Sequence, residues 1–496
     1  MIDKLRQITA LDIYPASISR AAGGTYFLGR KVQPDGASEK LVGCADCGPG
    51  ACLPNVRKVG EIDGKCVCVG PCDHQNAVAL RKLLPWSAPK CLGLATSAGF
   101  GDRLGLATPG HIRAVRGTGI APVLAQQSIR EMTRTARTPE LVIDCATYGT
   151  IQEGFTDGFG SDADHLQNPQ DIVATAAAGF TQFTIDPGAH VDNSADAMGL
   201  AALAEKLTQL DYETLAASPG DLRAAYAGKT FALAGGDAVS IDELAFLRAA
   251  AKYGQAVAHT VTMFRRLQQA ATRAFELEVS VDETDTPTTA AEHYFFASEL
   301  RRLGVTWVSM APRFLGRFEK GVDYIGDIDA FAADFARHVA VMRTLGPYKM
   351  SIHSGSDKFS IYPVIADLAG GLVHLKTAGT SFLEALRTVA GIDPGLFRQI
   401  LDFAREHYDA DRRTYHVSAD MSKLPPAAKL SDDELAGRID DFHARQALHC
   451  TFGSVLTADG GKRFRDRLYA ALAAGEEAHY ANLAAHLGRH LNPFGR

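Results

Sequence analysis

No apolar run in this chain reaches the ~18 residues that a membrane-spanning helix needs. The opening MIDKLRQITALDIYP lacks the basic-then-apolar build of a secretory signal, so the expected location is the cytoplasm. There is no run of five or six like charges, and the net charge is −6. That argues against nucleic acid or an anionic membrane as the main partner. The GxGxxG fingerprint of dinucleotide enzymes is missing, as are low-complexity tracts and repeats of fixed period. What remains is a small-molecule protein.

Hydrophobic residues make up 46% of the 496 positions and charged residues 22%, enough to bury a substantial core. The length fits two or three domains, or one large barrel with additions. Six of the nine cysteines fall between Cys44 and Cys72. In a reducing compartment they do not read as a disulfide framework. Cys44-x-x-Cys47 has the form of half a zinc or iron–sulfur site, with Cys68, Cys72 and His74 as the other half. The competing reading is that they are small apolar-like residues of buried strands.

Residues 1–88 are glycine-rich and strand-like and predict a small β-rich N-terminal segment. From Cys91 the texture changes. Strand-length apolar runs at 91–99, 122–128, 157–165, 180–188, 275–283, 306–312, 348–356 and 372–379 alternate with helical stretches. Eight such units predict a (β/α)₈ barrel over 89–455, with an insertion around 189–274 and C-terminal helices over 456–496. A doubly wound sheet is the structural rival. TYHVSAD (414–420) reads as a further strand. SIDE (240–243) reads as a capping box led by Ser240, and Thr286-Pro287 as a helix start.

Catalytic groups of such a barrel gather where strands end. Here those positions hold Asp162, Asp164 and His165; Asp186; Asp282 and Glu283; His353 and Lys358; His374 and Lys376. Imidazoles and carboxylates converging from several strands are what a divalent-metal site requires. His165, His353 and His374 are the candidate ligands. Histidines on expected helices, His486 and His490 among them, are assigned structural roles. Glu283 lies between Asp282 and Asp285, and crowded like charges would raise one carboxyl pKa, as a general acid needs. The alternative is a helix-start carboxylate favoured by the dipole. Arg103, Gln127, Asp186, Arg313, Lys358 and Lys376 are candidate substrate contacts, since cationic rim groups suit an anionic sugar.

The runs GFGDRLGLATPGHIRA, QSIREMTRT, GSDADHL, TIDPGAHVDN, DETDTPTTAAEHYFFASEL, HSGSDKFSIYP and LVHLKTAGTSFLEALR resemble the tagaturonate epimerase family over about 91–455. The resemblance implies a metal-dependent barrel enzyme acting on a hexuronate. It implies a divalent cation (Zn, Mn, Ni or Co) held by His165, His353 and His374, with Asp164 as proton acceptor and Glu283 as proton donor. Tagaturonate and fructuronate differ at a hydroxyl-bearing carbon β to the ketone, which simple enolisation cannot invert. Retro-aldol cleavage, rotation and recombination can. A class II-type aldolase or ketose isomerase on the same barrel is the enzymatic alternative, and a sugar-acid-binding sensor the non-enzymatic one. A homo-oligomer is compatible with all of these.

Overall fold

A computed structural model describes residues 1–32, 38–48 and 51–495. Six short antiparallel strands between Asp12 and Pro71 form an N-terminal sheet, closed by the helix His74–Leu83. The barrel follows. Its strands are β1 Ser97–Gly99, β2 Ala121–Ser128, β3 Gly160–Leu166, β4 Gln182–Ile185, β5 Glu276–Val281, β6 Ser309–Pro312, β7 Lys349–Ile352 and β8 Val373–Lys376. Each pairs in parallel with the next, and β8 pairs with β1 to close the ring. All eight predicted strands are found, and the doubly wound alternative is excluded.

Alternation explains why these segments form a barrel wall. On β5, Leu277, Val279 and Val281 are buried in the large apolar cluster shared with the surrounding helices. The intervening Glu276, Glu278 and Ser280 take the inward face. Ile352 of β7 and Leu375 of β8 belong to the same cluster, while Ser351, His374 and Lys376 point inward. Polar residues therefore line the barrel from floor to rim, and apolar ones hold the helices on.

Three local expectations are corrected. The long helix Glu243–Ala270 is capped by Asp242, which accepts from the Ala245 amide at 2.8 Å. Ser240 belongs instead to a hairpin, where its hydroxyl meets Thr230 at 2.8 Å. The helix after β5 is Ala290–Arg302, with Thr289 and Glu292 forming its capping box. The Thr286 hydroxyl is taken by Asp196. Residues 415–420 form no strand.

A second apolar cluster gathers the C-terminal helices around Leu386, Phe397, Leu448 and Leu468. The last helix, Glu476–Leu491, returns to the barrel, where Leu483 presses on Gly110. A Cβ at Gly110 would come within 2.6 Å of Leu483, so the close approach needs glycine. Glu476 binds Tyr14 at 2.8 Å and Arg30 at 3.2 Å, tying this helix to the N-terminal sheet. No helix among the described residues is long and apolar enough to cross a membrane.

Candidate active site at the carboxyl ends of the barrel strands

The inward residues stack in layers. Low in the barrel lies His374, whose Nδ1 meets Ser97 Oγ at 2.8 Å; burial pushes its imidazole down to about 3. One pleat higher, Lys376 is the hub. Its ammonium stands 2.6 Å from Asp164, 2.6 Å from Glu278, 2.9 Å from Asp162 and 2.8 Å from the Thr184 hydroxyl. Burial alone would deprotonate it, yet three carboxylates hold its pKa far above the ordinary lysine value. One ammonium shared by three carboxylates leaves the layer short of positive charge.

Above that layer, His165, Asp282 and His353 offer ligand atoms that all lie within 4.8 Å of one another. The carboxylates behind the two histidines decide which nitrogens face inward. Glu278 takes His353 Nε2 at 2.7 Å, leaving Nδ1 toward Asp282 at 3.0 Å. Asp186 lies 3.3 Å from His165 Nδ1, leaving Nε2 toward the centre, where Asp164 stands 3.9 Å away. Carboxylate–histidine pairs of this kind fix the ring orientation in metal sites. Two nitrogens and one carboxylate oxygen, with open positions facing a cavity, suit a divalent transition metal. Burial disfavours a charged imidazole here, but Asp164, Asp186 and Glu283 push His165 up to about 10.

The backbone is bent to achieve this. His165 follows Asp164 on β3 and would point outward on a regular strand. Its φ of 51° and the register shift against β4 turn the imidazole into the site. Ser354, just past His353, is also left-handed, with φ of 48°. Non-glycine residues in this region cost about 1–3 kcal/mol each and cluster at functional sites.

A cavity of about 360 Å³ opens above, lined by Asp282, Glu283, Arg313, Lys320, His353 and Tyr415. It shares Lys320, His353 and Tyr415 with a smaller one that reaches Arg130, Asp164 and Lys376. Such a volume suits a small sugar acid. Glu283 is exposed on its wall, one residue past the inward-pointing Asp282. The expected crowding of carboxylates does not raise Asp282. Burial favours its neutral form, but His353 and His165 hold its pKa far below the usual range.

The other expected contacts divide. Asp164, His165, Asp186, Glu283, His353 and Lys376 come together, and Arg313 lines the cavity. Arg103 borders the smaller cavity, but its guanidinium is engaged by Glu131 at 2.9 Å. The Gln127 carbonyl accepts from Arg137 at 3.3 Å. The Lys358 ammonium is buried among the carbonyls of Glu319, Val322 and Ser356 and lines neither cavity. His374 stands one layer below the group that Asp282 completes. Glu278 and Lys320 emerge only in the structure, and Asp282, expected from the sequence only as a neighbour of Glu283, moves to the centre of the site. For Asp282 and Glu278 the signal was present: period-two alternation along FELEVSVD places both on one face.

Asp357, His486 and His490 form a second group of potential ligand atoms, fully buried. Here the valences are already used. Asp357 meets His486 at 2.7 Å and Arg445 at 3.0 Å, while His490 Nε2 accepts the Asp357 amide at 2.8 Å. This network pins the last helix to the loop after β7, in keeping with structural roles for both histidines.

A family model described as tagaturonate epimerase matches residues 14–494. The chain is 44% identical over 420 residues to the tagaturonate/fructuronate epimerase of Thermotoga maritima, covering 85% of each. Crystal structures of the fructuronate–tagaturonate epimerase of Cohnella laeviribosi superpose with a TM-score of 0.91 at 37% identity. In these comparisons the alignment covers 99% of this chain and 98% of that one.

Proposed function

Since the chain belongs to the tagaturonate epimerase family, we propose that it interconverts tagaturonate and fructuronate by a metal-dependent retro-aldol route in the cavity above β3, β5 and β7. The family assignment makes the chain an isomerase and displaces the aldolase and sensor alternatives. The observation carrying the mechanistic part is the convergence of His165, Asp282 and His353 beneath a cavity lined by Arg313, Lys320 and Glu283.

A divalent cation held by His165 Nε2, His353 Nδ1 and Asp282 would polarise the substrate ketone and draw electron density from the breaking carbon–carbon bond. The remaining work falls to the protein. Asp164, kept ionised by Lys376, accepts the hydroxyl proton. Glu283, which lines the larger cavity, returns a proton after the aldehyde fragment has turned and recombined on its other face. Arg130, Lys320 and Arg313 hold the sugar carboxylate, so the fragment rotates without leaving. Asp186 and Glu278 orient the imidazoles. His374 supports the layer below rather than completing the ligand set.

We also place the enzyme in the cytoplasm and divide it at 88 and 455. The N-terminal sheet has one apolar cluster of its own and shares a second with Tyr148 and Ile151 of the following part. The second boundary, at 455, falls within the helix Phe452–Thr457, among helices that share one apolar cluster. Proton NMR of purified protein with tagaturonate, with and without chelator, tests the main reading. Appearance of fructuronate that stops on chelation and resumes with added metal is expected. Conversion indifferent to chelator would remove the metal step, and no conversion would remove the function.

A further inference from the structure

The mechanism leaves one imidazole at the site without a task. His449 lies near the end of the helix Phe442–Cys450, whose Ala447, Leu448 and Cys450 are buried in the second apolar cluster. It belongs to the C-terminal helices, yet it borders the smaller cavity together with Arg130, Lys320, Asp164 and Lys376. Only 3% of the residue is exposed. Neither ring nitrogen has a hydrogen-bond partner among the described residues. Buried polar groups in folded proteins are paired, so an unpaired one calls for a partner. Other buried imidazoles also have unpaired nitrogens, His111 and His479 among them, but they border neither cavity above the barrel.

The chain makes room for this ring. A Cβ on Gly379, just past β8, would stand 1.9 Å from His449 Cε1 and 2.7 Å from both ring nitrogens. Only glycine lets the helix Thr380–Ile392 start this close to the imidazole. Tyr415 meets the ring edge-on, with centroids 6.2 Å apart, and Arg103 donates to the His449 carbonyl at 3.3 Å. Burial, with Arg103, Lys320 and Arg445 nearby, holds the imidazole well below the ordinary histidine pKa, against the pull of Asp357. The ring is therefore neutral, with one nitrogen donating and the other accepting.

We infer that His449 is a substrate-binding residue that donates a hydrogen bond to the carboxylate of the hexuronate, an inference that rests on the functional reading above. The surroundings select a carboxylate. The smaller cavity holds about 50 Å³, room for a head group of a few atoms. Arg130 and Lys320 border it and favour an anion. The carboxylates on its wall are already paired, Asp164 with Lys376 at 2.6 Å and Glu131 with Arg103 at 2.9 Å. Ala378 and Gly379 line it where the helix Thr380–Ile392 begins, and the helix dipole at that end also favours negative charge. A neutral imidazole adds a directional donor there without a further charge to be balanced.

A double-mutant cycle on the full-length protein, supplied with divalent metal, tests the contact. Initial rates of tagaturonate conversion are followed by NMR for wild type, His449→Ala, Gly379→Ala and the double variant. His449→Ala should raise KM about 10- to 100-fold, as for loss of a hydrogen bond to a charged group, and change kcat far less. Gly379→Ala keeps the imidazole but displaces it, and should raise KM in the same way. It decides by itself where His449→Ala does not fold. Added to His449→Ala it should have no further effect, because the space beside it is then empty. Unchanged KM in both single variants, beside a wild type that converts, would overturn this contact alone and leave the ring nitrogens to a water molecule. Additive losses in the double variant would also overturn it, since they mark a general disturbance of the cavity. A wild type that converts nothing would overturn the functional reading and this contact with it.

Discussion

Glu278 occupies the far nitrogen of His353: Oε1 lies 2.7 Å from Nε2, both groups are buried, and Nδ1 is thereby left facing Asp282. The same glutamate accepts from Ser309 and pairs with Lys376, so one carboxylate joins the ligand layer to the hub beneath it. Glu278→Gln should preserve the shape but remove the charge that orients and polarises the imidazole. Metal affinity and kcat are expected to fall together by roughly 10- to 100-fold. Competition with a metallochromic indicator reads the first and NMR turnover the second. Unchanged affinity would mean that Glu278 serves packing only.

Sequence and structure nominate different third ligands, and this can be decided directly. His374 is tied to Ser97 one layer below the site, whereas Asp282 lies in the group with His165 and His353. Asp282→Asn should emerge from gel filtration without its barrel metal. His374→Gln should retain it, with a loss confined to stability. Metal analysis of the two variants side by side gives the answer, and the reverse pattern would restore His374 as ligand.

Much of this architecture is legible from residues alone, because a parallel barrel repeats one local rule eight times. Outward positions such as Leu277, Val279 and Leu375 must be apolar, and strand ends must carry the chemistry. Two kinds of information are not local. Whether Glu283 or Asp282 points inward depends on where β5 stops alternating, and whether His165 turns in depends on a left-handed residue within β3. Nor can charge alone tell a free cation from a spent one. Lys358 and Arg103 looked like substrate contacts, but backbone carbonyls and Glu131 had already claimed them. TYHVSAD had strand composition but lies outside the closed barrel, where it lends Tyr415 and His416 to the cavity wall.

Lys376 should dominate the stability of the barrel interior. Lys376→Met leaves Asp162, Asp164 and Glu278 buried without their common cation. Removing one partner of a buried ion pair costs about 3–5 kcal/mol. Urea unfolding of the metal-free protein should register a loss of that order. A loss below about 1 kcal/mol would show that the carboxylates take up protons cheaply, and the hub would lose its importance.

The junction between the N-terminal sheet and the last helix should be sensitive to acid. Burial raises the Glu476 pKa, but Lys40, Tyr480, Tyr14 and Arg30 together hold it below the ordinary 4.5. A depressed carboxylate contributes stability that is present above its unfolded pKa and is lost as pH falls through the folded value. Wild-type stability should therefore decline from near pH 5 downward, and Glu476→Gln should flatten that decline while lowering stability at pH 7. Chemical denaturation at several pH values compares the slopes. Parallel curves for the two proteins would assign the acid sensitivity to other groups.

Of the three cations proposed to bind the substrate carboxylate, Arg130 gives the most direct test. Its guanidinium lines the smaller cavity beside Lys320, with Tyr415 5.3 Å away, and its Nε has no hydrogen-bond partner among the described residues. Arg103 nearby is held by Glu131 and stacked on Phe452 at 3.6 Å, so it supports the wall instead. A charge-assisted contact of this type is worth about 1.5–3 kcal/mol, which converts to roughly 10- to 100-fold in KM. Arg130→Gln should raise KM for the hexuronate by that factor and change kcat less, because the carboxylate is remote from the bond that breaks. The loss should be selective. Turnover of a neutral ketohexose, if measurable, should be the same in Arg130→Gln and wild type, since that substrate has no carboxylate to lose. Equal losses for both substrates would make Arg130 a packing residue and move carboxylate binding to Lys320 and Arg313.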